Sequence, residues 1–73
     1  MQKRSLTIAG HRTSIALEPE FWLGLEAMAE SRNLPLAALI REIDEAREAP
    51  NLSSAVRIAV LRWYQQSGRQ NGN

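Results

Sequence analysis

Polar and apolar positions alternate in two runs near the start of the chain, and afterwards apolar residues recur at helical spacing. In Lys3–Ile8, Leu6 and Ile8 alternate with Ser5 and Thr7, the period of a half-buried strand. Ala9-Gly10 follows as a turn or bulge. In the run His11–Leu17, Thr13, Ile15 and Leu17 fall on one face, and Arg12, Ser14 and Ala16 on the other. These two strands either pair as a hairpin, or one of them pairs with its copy in a second chain.

Three helices are expected next. Pro19 suits a first helical position, with its fixed φ and no N–H to leave unpaired. From there to about Ser31, Phe21, Leu25, Met28 and Ala29 form an apolar stripe with Trp22 at its border. Asn33-Leu34-Pro35 breaks this helix. Leu36, Leu39, Ile40 and Ile43 mark a second helix from about Pro35 to Arg47, which ends at Pro50 because the residue before proline is pushed out of the α region. Asn51 or Ser53 caps a third, running to about Gln66 with apolar residues on more than one face, as befits a central helix. Ser67–Asn73 is Gly, Asn, Gln and Ser around one arginine, the composition of a disordered tail. The expected organisation is one domain over residues 1–66 and a tail over 67–73. Its core is expected to hold Ile15, Leu17, Phe21, Leu25, Met28, Leu39, Ile43, Val56, Val60 and Trp63.

Size and composition narrow the function. A chain of 73 residues without cysteine cannot add disulfides to a small core, so homodimerisation is the expected stabiliser. His11 is the sole histidine and Asp44 the sole aspartate; a metal site is not expected, nor is any cofactor or small-molecule ligand. No membrane span or signal-peptide core stands out, and the expected location is the cytoplasm. Gly-rich phosphate loops, Cys–His pairs and nucleophile motifs are missing, so the chain reads as no enzyme. Glu18 and Glu20 suit the dipole of a helix start, and Ser53-Ser54 a cap. The net charge of +1 hides a pattern: +3 over residues 1–17, −5 over 18–50 and +3 over 51–73.

A two-stranded antiparallel ribbon fits the major groove of DNA, where outward side chains reach base edges. On the second strand Arg12 suits guanine, Ser14 donates or accepts, and Ala16 meets a thymine methyl. A helix start adds backbone amides for phosphate. The order of strand, Pro-started helix, turn and helix resembles the ribbon-helix-helix superfamily of Arc and MetJ type repressors. More narrowly, Lys3-Arg4-Ser5, Gly10-His11-Arg12-Thr13-Ser14-Ile15, Leu17-Glu18-Pro19-Glu20-Phe21-Trp22 and Asn51-Leu52-Ser53-Ser54-Ala55-Val56-Arg57 resemble short bacterial ribbon-helix-helix domain proteins.

That resemblance implies a mainly α fold, with N-terminal strand or strands followed by three helices, in a dimer sharing an intermolecular two-stranded ribbon. It implies sequence-specific binding of double-stranded DNA by a homodimer that regulates transcription as a repressor. Arg12, Ser14 and Ala16 are the implied base readers, with residues 3–8 as the alternative ribbon strand. Lys3 and Arg4 are expected on phosphate. The phosphate-clamping helix start is either Asn33–Leu36 or Leu52, Ser53 and Ser54 behind Asn51, with the latter preferred because Pro35 lacks an amide donor. The competing function is a dimeric protein-interaction module of the same fold that leaves DNA alone.

Overall fold

Ala9 and Gly10 set the first contact of the fold. Both have positive φ, 53° and 82°, the pair of left-handed residues that a two-residue hairpin loop of the right twist requires. In the computed structural model, which describes the backbone of residues 1–72 and the side chains of residues 1–67, this loop joins β1 (Gln2–Ile8) to β2 (His11–Leu17). The two strands pair antiparallel, with Gln2 opposite Leu17, Ser5 opposite Ser14 and Ile8 opposite His11. Within the chain the two strands thus form a hairpin, one of the two pairings the sequence allows. A two-residue loop closes this pairing at little entropic cost, and both candidate strands are used.

Helix α1 (Pro19–Ser31) begins where the sequence places it, with the Glu18 carbonyl accepting from the amides of Phe21 and Trp22 at 2.9 and 3.2 Å. It ends at Asn33, whose φ is 55°. The Leu34 amide donates to Ala29 O at 2.9 Å and the Asn33 amide to Glu30 O at 3.1 Å, the paired closure of a Schellman motif. Helix α2 (Leu36–Ala46) and helix α3 (Leu52–Gly72) follow. Asn51 Oδ1 accepts from the Ser54 amide at 2.8 Å and caps α3. Helix α3 runs past Gln66, its expected end. Of the tail expected at 67–73, Ser67 lies in α3; the side chains from 68 on, and Asn73 altogether, fall outside the described residues.

The inner face of the hairpin closes the core. Ile8, Ile15 and Leu17 pack with Trp22, Leu25 and Ala29 of α1, Leu39 and Ile40 of α2, and Val56 and Val60 of α3. Phe21, Met28 and Ile43 lie at its margin, partly buried. Trp22, expected at the border of its stripe, is at the centre and 1% exposed. Its Nε1 donates to Gln2 O at 2.8 Å, so the indole is buried with its polar group satisfied. Trp63, expected in the core, is half-buried and stands edge-on to Tyr64. Gly24 permits close approach of α1 to α3: a Cβ there would lie 2.7 Å from Val60 Cγ1 and 3.0 Å from Tyr64 Cε2.

Candidate nucleic-acid interface

Strand alternation and the hairpin register together sort the ribbon into two faces. Lys3, Ser5 and Thr7 of β1 share the outward face with Arg12, Ser14 and Ala16 of β2. All are exposed except Ala16, which is half-buried. They form three cross-strand rows: Lys3 with Ala16, Ser5 with Ser14, and Thr7 with Arg12. In the middle row the two hydroxyl oxygens are 3.3 Å apart. Lys3 and Arg12 sit at opposite corners, and neither forms an ion pair among the described residues. No acid occurs between Met1 and Leu17, so the face carries positive charge and small hydroxyl groups.

Arg4 is placed otherwise. It points to the inner side, where Nη1 donates to Glu26 Oε2 at 2.7 Å and the guanidinium lies 4.4 Å from the Trp22 ring centroid. Through these contacts Arg4 pins β1 to α1. The expected helix-start contacts divide as well. Asn51 already holds the Ser54 amide, which leaves Leu52 and Ser53 to meet an anion there. The start of α2 has Pro35 at its N-cap, with no side-chain cap bond.

Charge pairing redraws the expected contrast between basic ends and an acidic middle. Arg32, Arg41 and Arg47 pair with Glu42, Glu45 and Asp44 within the middle block, while Arg4 and Arg57 reach into it from the flanks to hold Glu26 and Glu18. Arg57 Nε donates to Glu18 Oε1 at 2.9 Å, tying α3 to the β2–α1 junction. That hydrogen bond is the main reason the Glu18 carboxyl is held below its ordinary range.

Strand alternation alone gives Ser5 and Thr7 no place beside Arg12 and Ser14. The signal for it is Ala9-Gly10, because a two-residue loop fixes which strand residues stand opposite one another. Elsewhere, an open groove of about 570 Å³ lies between α2 and α3, floored by Ile43, Ala46, Ala55 and Ala59 and rimmed by charges of both signs. No hairpin residue lines it. Among the described residues no cluster of potential metal ligands occurs, and no helix is long and apolar enough to cross a membrane.

A β-ribbon with a polar outer face, packed by its apolar face on helices, defines the class of this fold. The chain belongs to the ribbon-helix-helix domain family, whose model matches residues 1–64. Members of that family are in general DNA-binding transcription regulators, and they generally dimerise. No curated protein and no solved structure matches the chain.

Proposed function

We propose that the chain is a sequence-specific DNA-binding protein of the cytoplasm that works as a homodimer and represses transcription by occupying its site. The outward face of the hairpin carries this reading: a row of small hydroxyls between two exposed cations, free of acid, on a ribbon of the width a major groove admits. Arg12 reads guanine through its bidentate fork, Ser14 donates to or accepts from a base edge, and Ala16 packs against a thymine methyl. Lys3 contacts phosphate at the opposite corner of the face. The Leu52 and Ser53 amides at the start of α3 contribute sequence-independent contacts.

A second copy is favoured by the apolar side chains left uncovered. Leu23 is 66% exposed on α1, and Ile58, Leu61 and Tyr64 follow one another at helical spacing on α3. Binding to cognate and scrambled duplexes tests the proposal. Arg12→Ala lowers preference for cognate DNA by about 1–3 kcal/mol, whereas Lys3→Ala weakens binding to both duplexes alike. If neither variant changes binding, the fold serves a protein partner instead.

A further inference from the structure

We infer that a second copy of this chain docks along the outer face of α3, with the two α3 helices antiparallel and Arg62 of each copy against Glu48 of the other. The inference rests on the homodimer reading above and deepens it by naming the surface through which copies meet. That surface includes no residue of β1 or β2, so it is compatible with a ribbon closed within one chain or shared between two.

A seam on α3 is the first observation. Val56 and Val60 point into the core and are 0% and 3% exposed. On the opposite side of the helix stand Ser54, Ile58, Leu61 and Gln65, spaced by four, three and four residues. That alternation is the one by which a helix receives another helix. The two central residues are apolar yet open to solvent, Ile58 42% and Leu61 54% exposed. A helix face meant for water carries polar or charged residues at such positions.

The second observation is the charge along the groove beside this seam. Its floor includes Ala46, Ala55 and Ala59, small enough to let another chain come close. Most charges on its rim are matched within the chain, Arg32 by Glu42 and Arg47 by Asp44. Glu48 and Arg62 line the groove, are exposed, and form no ion pair among the described residues. Glu48 belongs to the connection that leads into α3, at the end where Ala55 lies. Arg62 is about 10 Å further along the helix than Ala55. The groove therefore has a negative end and a positive end.

A second copy answers both features. Isologous pairing about a two-fold axis perpendicular to α3 reverses the helix direction and keeps the two grooves on the same side. Arg62 of each copy then comes over Glu48 of the other, so each unmatched charge finds its opposite. The seam is self-complementary in the same arrangement: Ile58 of each copy packs against Leu61 of the other, with Ser54 opposite Gln65 at the ends. Parallel helices would put the grooves on opposite sides and leave both charges unmatched.

Sedimentation equilibrium of the whole chain, over a range of micromolar concentrations, tests the interface. Wild type is expected as a homo-oligomer. Ile58→Glu, at an exposed position, is expected to halve the mass of that assembly while circular dichroism stays unchanged. Arg62→Glu and Glu48→Arg each set like charges together and are expected to weaken association by about fivefold or more. The variant carrying both exchanges restores opposite charges across the interface and is expected to return to within about threefold of wild type. Wild-type mass retained by Ile58→Glu overturns this interface and leaves homodimerisation in place. Dissociation by Ile58→Glu without rescue in the double exchange overturns the antiparallel pairing. A wild type that sediments as a single chain throughout overturns the homodimer reading, and this interface with it.

Discussion

Arg4→Ala separates a residue that holds the ribbon from one that binds DNA. The guanidinium makes a 2.7 Å ion pair with Glu26 and lies 4.4 Å from the centroid of Trp22. Side-chain exposures of 33% for Arg4 and 46% for Glu26 leave the pair open to water and salt, so its contribution falls within the about 0.2–1 kcal/mol of exposed pairs. The cation over the indole adds about 0.5–1 kcal/mol, and the arginine stem covers apolar surface that alanine would uncover. A loss of about 1–2 kcal/mol is expected, read by urea denaturation followed through tryptophan fluorescence. For a domain of this size, a loss of about 1 kcal/mol corresponds to a fall in Tm of about 4–8 °C. In a double-mutant cycle with Glu26→Gln the two substitutions are expected to be non-additive, because they remove the same interaction. DNA affinity measured well below the melting temperature should be unchanged. Unaltered stability combined with a shallower salt dependence of DNA binding would overturn this role and return Arg4 to the phosphate backbone.

Three further outcomes follow from the packing. Gly24→Ala gains about 1 kcal/mol in helix propensity but sets a methyl 2.7 Å from Val60 Cγ1; the buried, β-branched Val60 cannot rotate away, so overpacking of about 1–3 kcal/mol wins and the midpoint of denaturation falls. Ala9→Asn places at φ 53° a residue whose short amide tolerates the left-handed region better than a methyl does, and should raise stability by up to about 1 kcal/mol in the same assay. Glu18 binds its proton more weakly in the folded chain than in the unfolded one, chiefly through Arg57. Its stabilisation is complete above the unfolded carboxyl pKa and is lost as pH falls through the lowered folded one, so Glu18→Gln should flatten the acid limb of the stability profile.

Local chemistry makes the helices readable. Pro19 fixes the start of α1, Asn33 supplies the left-handed residue of its Schellman closure, and Asn51 caps α3; each acts on atoms within a few residues. The ribbon is half readable. Alternation gives both strands, but their partner depends on whether Ala9-Gly10 acts as a two-residue turn, and alanine is an unusual occupant of a left-handed position. Arg4 has a phase on β1 that places it inward, beside Glu26, a residue 22 positions away. No local pattern announces such a pair. Trp22 shows the same limit: its indole is drawn to the centre by a carbonyl of the first strand, 20 residues earlier. On the candidate interface, Arg12, Ser14 and Ala16 lie where alternation puts them, while Ser5 and Thr7 join them only through the register.

Sequence-specific recognition through the ribbon stands or falls on binding measured against salt. Wild type is titrated with a selected duplex and with a scrambled one over a range of salt concentrations. If the outward face of the hairpin and the start of α3 meet DNA, log K falls steeply with log salt on both duplexes. Lys3→Ala then reduces that slope by about one unit for each phosphate no longer neutralised, and Arg12→Ala removes the difference between duplexes at one base position. Binding that is indifferent to salt, or equal for the two duplexes in wild type, would contradict recognition by this face.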